Sequence, residues 1–250
     1  MTRHPLFDAH LHIVDPRFPL VPNQGYVPGP FTVEDYRART AGLRVAGGAV
    51  VSGSFQAFDQ GYLVAALREL GPGFAGVTSL PPGVEDHEVL ALHDAGVRAV
   101  RFNLHRGGPE ALTGLERVAR RVWDLAGWHA ELYVDAGDLP DLEGRLAALP
   151  AIVIDHLGLS SAGRDALLRL VERGAHVKAT GFGRVDLDVP ATLRAIHAVD
   201  PGALMAGTDL PSTRARRPFD PADLDLVEAT LGPEAARAAL HDNAARLYAR

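Results

Sequence analysis

Two histidines separated by a single leucine, His10-Leu11-His12, follow the apolar stretch Pro5-Leu6-Phe7-Asp8-Ala9. If Leu6 to His12 is extended, side chains alternate between faces, so the two imidazoles share one face and Leu11 takes the other. Paired imidazoles at a strand end can hold a metal, polarise a carbonyl or relay a proton. Such a pair also arises by chance in a chain with 11 histidines. Its meaning depends on what other elements bring to the same place.

The chain of 250 residues is 47% apolar and 22% charged, with a net charge of −6. That composition is ordinary for a globular protein and offers no nucleic-acid or membrane surface. The strongest basic cluster, Arg214, Arg216 and Arg217, reads as an anion contact or a solvated loop. There is no cysteine, which removes disulfides, thiolate catalysis and Cys-based zinc sites. Neither a secretory signal nor a transmembrane span is evident, so the cytoplasm is the expected location. No linker-like segment divides the chain, and residues 1–250 are expected to form one domain.

Short apolar runs alternate with amphipathic stretches. Strands are expected at Leu6–His10, Gly48–Ser52, Phe74–Ser79, Ala99–Asn103, Ala130–Val134, Ile152–His156, His176–Thr180 and Leu204–Gly207. Helical patterns lie between them, including Val33–Leu43 capped by Thr32, Pro109–Ala126, Val189–Val199 and a last helix over Pro233–Tyr248. Eight strands alternating with helices over this length predict a (β/α)8 TIM barrel, with an open doubly wound sheet as the runner-up. No glycine-rich phosphate loop follows any strand, which weighs against a nucleotide-binding sheet. The Pro-rich stretch from Ile13 to Pro30 is a long connection after the first strand, where a barrel would build its site.

A barrel concentrates chemistry at the C-terminal strand ends. Strand one ends in His10 and His12, and strand four in Arg101-Phe102-Asn103. Strand six ends in Asp155-His156-Leu157-Gly158, strand seven in Lys178-Ala179-Thr180, and strand eight in Thr208-Asp209-Leu210-Pro211. Ionisable groups are costly at such places unless they are paired or used. Taken singly, each has a plain structural reading: a capping histidine, a rim ion pair, a turn aspartate. Asp155 lies on the opposite parity from His156 and reads as structural. Asp8 shares parity with His10 and could orient it from below. His129 begins its strand and is discounted.

The set Phe7-Asp8-Ala9-His10-Leu11-His12, Val100-Arg101-Phe102-Asn103, Ile154-Asp155-His156-Leu157-Gly158 and Gly207-Thr208-Asp209-Leu210-Pro211 resembles the amidohydrolase superfamily. Within it, Asp59-Gln60-Gly61-Tyr62-Leu63 and the tail Asp242-Asn243-Ala244-Ala245-Arg246-Leu247-Tyr248 look like the branch of 2-pyrone-4,6-dicarboxylate and sugar lactonases. The resemblance covers nearly the whole chain. It implies that His10, His12, His156 and Asp209 are catalytic. Tyr26 resembles a substrate-contacting tyrosine, and Arg101 lies where an anion-binding arginine would fit. Asn103, Lys178, Arg184 and Arg214 complete the expected substrate contacts. Two departures stand out: Leu210 replaces a frequent tryptophan, and Ser52-Gly53 replaces a frequent Gln-Pro.

Binuclear members bridge their ions with a strand-four lysine or glutamate, and here Arg101 and Asn103 stand there. Mononuclear relatives use a strand-five histidine, and here the only one, His129, is at the wrong end. The expectation is a site that requires no metal. The alternative is one zinc or other divalent cation on His10, His12 and Asp209, with His156 as an extra contact. The leading reading is a hydrolase that opens the ester ring of a small carboxylated or sugar lactone. Asp209 would deprotonate a water, the histidines would stabilise the oxyanion, and arginines would hold a substrate carboxylate. The competing readings are a metal-dependent decarboxylase of a small unsaturated or aromatic acid, and a non-catalytic anion-binding barrel. Small carboxylates or lactones are the expected partners, without nucleic acid or membrane. A homo-oligomer is left open.

Overall fold

The computed structural model of the chain describes residues 4–107 and 114–249. Eight strands, β1 (Leu6–Leu11), β2 (Val45–Val51), β3 (Phe74–Thr78), β4 (Val97–Asn103), β5 (His129–Tyr133), β6 (Ile152–Ile154), β7 (His176–Ala179) and β8 (Leu204–Ala206), lie in sequence order. Each pairs in parallel with the next. The sheet curls until β1 meets the end of β8. There the Asp209 amide donates to the His10 carbonyl (2.7 Å) and the His12 amide to the Leu210 carbonyl (2.8 Å). Helices between the strands cover the outside, giving the expected single-domain (β/α)8 barrel.

Local chemistry explains the elements. Thr32 and Asp35 form a reciprocal capping box at the first helix (Val33–Arg39). Asp188 caps the helix Val189–Val199, and a proline sits in its first turn. The expected helix Pro109–Ala126 begins within residues that lie outside the described ones; its described part is Leu115–Ala126. The expected last helix is interrupted: Pro233–Arg237 and Asn243–Tyr248 are separated by a π-helical turn at Ala238–Asp242. There the Asn243 amide donates to the carbonyls of Leu204 (2.9 Å) and Pro201 (3.1 Å), tying the turn to β8.

The strands bury both faces. Leu6, Leu11, Val50, Val100, Leu132 and Ile154 pack outward on the helices. Ala9, Ala49, Val51, Ala75, Val77, Ala99 and Met205 fill the inside. The ring of Tyr248 stacks on Phe7 (5.5 Å between centroids) and plugs the N-terminal end of the cylinder. No helix among the described residues is long and apolar enough to cross a membrane.

Candidate active site

The end of β1 is not a simple alternating strand. Asp8 pairs with Gly48 and Leu11 with Val50, so β1 holds one residue more than β2 across this interval. The bulge reverses the parity of Asp8 relative to His10. Asp8 therefore does not orient the His10 ring. Its carboxylate accepts from the Tyr36 hydroxyl on the first helix (3.0 Å) and from the Thr208 amide and hydroxyl (2.7 Å each), binding β1 to β8. Burial pushes its pKa up to about 6 against those bonds. His10 and His12 both turn inward, with their Nε2 atoms 3.3 Å apart. The Val51 carbonyl lies 2.7 Å from His12 Nδ1. A carbonyl only accepts, so Nδ1 carries the proton and His12 Nε2 presents a lone pair.

Below the histidines lies a buried ionic cluster. Arg101 donates from Nε (3.1 Å) and Nη2 (2.9 Å) to Asp155 Oδ2, and from Nη1 to the Ser52 carbonyl (3.0 Å). Asp155, read from parity as structural, lies in this cluster beneath the cleft, paired with Arg101. β6 ends at Ile154, and the chain enters a tight turn in which His156 has φ 52°, so strand alternation does not extend to it. Lys178 Nζ sits 2.5 Å from Glu131 Oε2, 3.4 Å from His10 Nδ1 and 3.8 Å from Asp155 Oδ1. Lys178 is fully buried beneath His10 and reaches no cleft wall, so the expected substrate contact by this residue is corrected. Glu131 also meets His129 Nε2 (3.2 Å) and the Tyr248 hydroxyl.

Asp209 and His156 close the far side. Arg184 donates to Asp209 Oδ2 from Nε (2.9 Å) and Nη2 (2.5 Å). Asp209 Oδ1 is buried and has no hydrogen-bond partner. The Nε2 atoms of His12, His10 and His156 lie 3.8, 3.9 and 3.9 Å from it. His156 is oriented by Thr180, whose hydroxyl is 2.8 Å from Nδ1. Asp209 and His156 both have positive φ (57° and 52°), a conformation sparsely used by non-glycine residues and concentrated at functional sites. Gly181 makes the convergence sterically feasible. A Cβ there would come within 2.9 Å of Arg184 Nε and His156 Nδ1 and within 3.0 Å of Asp209 Oδ2.

Burial dominates the electrostatics. Burial, with the Lys178 charge next, holds His10 well below the usual imidazole range. Burial, then the Arg101 charge, takes His12 to about 3, and burial, then Arg184, holds His156 well below its ordinary value. All three are neutral at pH 7. Burial pushes Asp209 up to about 6, with Arg184 pulling against it. Burial would raise Asp155 as well, but the Arg101 and Lys178 charges outweigh it and hold its carboxyl below the ordinary range.

A cleft opens above this floor, lined by His12, Arg101, Asn103, His156, Arg184 and Arg214, with Tyr26 at the rim. The long loop after β1 reaches over it as expected. Arg214 lies 4.5 Å above the Tyr26 ring and donates to the Asn23 carbonyl. The expected contacts Tyr26, Arg101, Asn103, Arg184 and Arg214 are thus brought together. Sequence reasoning missed Tyr133 and Arg106 on the same wall. Tyr133 pairs with Asn103 across β4 and β5 and takes Arg101 over its ring at 5.3 Å, so its place on the strand end was the available signal.

The donor set fits one divalent ion. His10, His12 and Asp209 offer ligand atoms within 4.8 Å of one another. Two nitrogens on a tetrahedral zinc with arms of about 2.0–2.1 Å stand about 3.3–3.4 Å apart, close to the observed 3.3 Å between the Nε2 atoms. His129 lies at the opposite end of β5, against Tyr248, and contributes nothing to the rim.

Comparison with known proteins finds relatives that share the fold. A 2-pyrone-4,6-dicarboxylate hydrolase of Comamonas testosteroni is 35% identical over 156 residues, which are 60% of this chain. The chain spans about half the length of that curated relative, 51%. A crystal structure of an Agrobacterium tumefaciens protein in its apo form superposes with a TM-score of 0.84 at 27% identity, covering 98% of this chain and 96% of that one. An Acinetobacter baumannii protein described as a probable 2-pyrone-4,6-dicarboxylic acid hydrolase, with citric acid bound, shares the fold. Its TM-score is 0.82 at 19% identity, over 98% of this chain and 99% of that one. The amidohydrolase family model matches residues 7–250, and the chain belongs to the amidohydrolase family.

Proposed function

We propose that this protein is a hydrolase that opens the ester ring of a small carboxylated lactone by attack of an activated water. The observation that carries the reading is the divided carboxylate of Asp209. Oδ2 is fixed by Arg184, while Oδ1 is buried without a partner and faces three imidazole Nε2 atoms. A water held at Oδ1 gives its proton to that carboxylate as its oxygen attacks the ester carbonyl. His12 Nε2 accepts the water's second hydrogen. An N–H from His10 or His156 donates to the carbonyl oxygen as it becomes an oxyanion. Collapse of the tetrahedral intermediate breaks the ring C–O bond, and Asp209 returns its proton to the leaving alkoxide.

Arg214 and Arg106 at the mouth, with Arg101 deeper, favour an anionic substrate. The name of the Comamonas relative supports a lactone bearing carboxylates. His10, His12 and Asp209 would hold a divalent ion. When bound, such an ion lowers the pKa of water and polarises a carbonyl. Our reading does not require it, because the Asp209 carboxylate itself serves as the base and an imidazole N–H meets the oxyanion. A panel of lactones with a pH-indicator readout, run with and without a chelator and with metal analysis of the protein, tests both statements. Absence of acid release from every carboxylated lactone would refute the first, and full loss of turnover on chelation the second.

A further inference from the structure

The ring of His10 has a choice that decides what its inner nitrogen can do. Its Nδ1 lies 3.4 Å from Lys178 Nζ and 3.4 Å from Asp155 Oδ1. These neighbours ask for opposite tautomers. An ammonium has three donors and no acceptor, so contact with Lys178 needs a lone pair on Nδ1 and places the ring proton on Nε2. A carboxylate only accepts, so contact with Asp155 needs the proton on Nδ1 and leaves Nε2 bare. Asp155 Oδ1 has no hydrogen-bond partner.

His12 adds its weight to the Lys178 side. Its Nδ1–H is committed to the Val51 carbonyl, so its Nε2 can only accept. The His10 and His12 Nε2 atoms are 3.3 Å apart. Two lone pairs facing each other at that distance repel, whereas a proton on His10 Nε2 makes the contact a hydrogen bond. We infer that Lys178, held by Glu131, is a positioning residue that fixes His10 as the Nε2–H tautomer, a donor that rests on His12 in the empty site and turns to the substrate carbonyl when one binds, which frees His12 Nε2 for the water and withholds His10 from metal ligation.

The inference rests on the site reading above but goes beyond it. A divalent ion on His10 Nε2 needs the other tautomer, with Nδ1–H donating to Asp155 Oδ1. The same five side chains, His10, His12, Asp155, Lys178 and Glu131, thus have two self-consistent hydrogen-bond patterns, and the Lys178 ammonium selects the metal-free one. Glu131 holds Lys178 at 2.5 Å through one oxygen, with the Tyr248 hydroxyl on the other. The selector therefore extends from the C-terminal helix to the catalytic floor.

The test is a two-bond 1H–15N correlation spectrum of full-length protein labelled at histidine nitrogen, with His10 assigned by its loss in His10→Gln. Wild type is expected to show His10 protonated at Nε2 and bare at Nδ1, without any substrate present. That readout separates failure of this inference from failure of the lactone reading. The double variant Lys178→Met with Glu131→Gln removes the pair without leaving a lone buried charge, and with only His12 left to oppose Asp155 the Nδ1–H form of His10 should gain population over wild type. Glu131→Gln alone keeps the ammonium and should keep the wild-type tautomer. Calorimetric titration with zinc should show the double variant binding about tenfold or more tighter than wild type, and its kcat should fall about 10- to 100-fold at nearly constant KM, the usual effect of losing an orienting partner. Wild-type His10 bearing its proton on Nδ1, or a double variant that loses thermal stability while keeping the tautomer, would overturn the inference. If the double variant does not fold, the wild-type spectrum alone decides.

Discussion

Arg184 grips one oxygen of Asp209 with two hydrogen bonds and leaves the other oxygen facing three neutral imidazoles. The carboxylate is thereby oriented and its basicity set by two opposed effects. Burial raises its pKa to about 6, and Arg184 limits the rise. An acid with a raised pKa is charged only above that value. The activity should therefore be constant near pH 7 to 8 and fall with unit slope below about pH 6 as Asp209 takes up its proton. His12, at about 3, adds no second limb in this range. A kcat/KM profile between pH 4.5 and 8 checks this; a limb near pH 4 would mean that Asp209 is not the base.

Asp209→Asn keeps the shape and the Arg184 contact but cannot accept a proton. Lactone turnover should drop about 10²- to 10⁴-fold, the usual contribution of a positioned base. KM should change little, and the acid limb should vanish. Equal loss in kcat and gain in KM would instead assign Asp209 to substrate binding.

Arg184→Met removes the charge that opposes desolvation. The Asp209 pKa should climb above 6, moving the acid limb to higher pH and lowering kcat at pH 7. Comparing the two limbs on the same substrate measures the shift directly. A limb that stays in place would show that Arg184 acts on the substrate rather than on Asp209.

Arg214 stands at the rim, half-buried over Tyr26, and touches none of the buried acids. Arg214→Ala should raise KM for a carboxylated lactone about 10- to 100-fold, the worth of a charge-assisted hydrogen bond, with kcat within a few-fold. A neutral lactone should be nearly indifferent to the change, so the ratio between the two substrates is the diagnostic quantity.

Gly181 has φ 62°, and a Cβ there would strike Arg184, His156 and Asp209 at once. Gly181→Ala should cost about 1–3 kcal/mol of stability through strain at a left-handed position and more activity than stability, because all three colliding atoms belong to the site. Urea unfolding beside steady-state kinetics distinguishes this from a purely local backbone penalty.

The barrel was legible because strand and helix periods alternate cleanly, and because residues such as Thr32 and Asp188 cap helices in a way that local chemistry dictates. Placing His10, His12, His156 and Asp209 on one rim followed from that periodicity. The failures share a cause. Asp8 was misplaced because alternation was carried through a bulge, where the backbone no longer has period two, and the parity drawn between Asp155 and His156 lapses in the same way past the end of β6. Lys178 was placed among the substrate contacts because it ends a strand beside other ionisable groups on one rim; its burial depends on Glu131, 47 positions away, and no local pattern encodes that pairing. The π-helical turn before Asn243 is likewise set by a distant strand, through the Leu204 carbonyl.

The two bonds that join β1 to the end of β8 run through His10 and His12 on one side and Asp209 and Leu210 on the other, with Asp8 gripping Thr208 across 200 residues of chain. Asp209 and the histidines that face it therefore become neighbours only when the last strand arrives. A nascent chain that has not yet delivered Asp209 holds half a site, and a chain with the seam open holds two halves that cannot cooperate. Turnover by the proposed route would thus report on completion of the cylinder itself: its recovery during refolding should coincide with the slowest, longest-range docking event rather than with the earlier formation of helices.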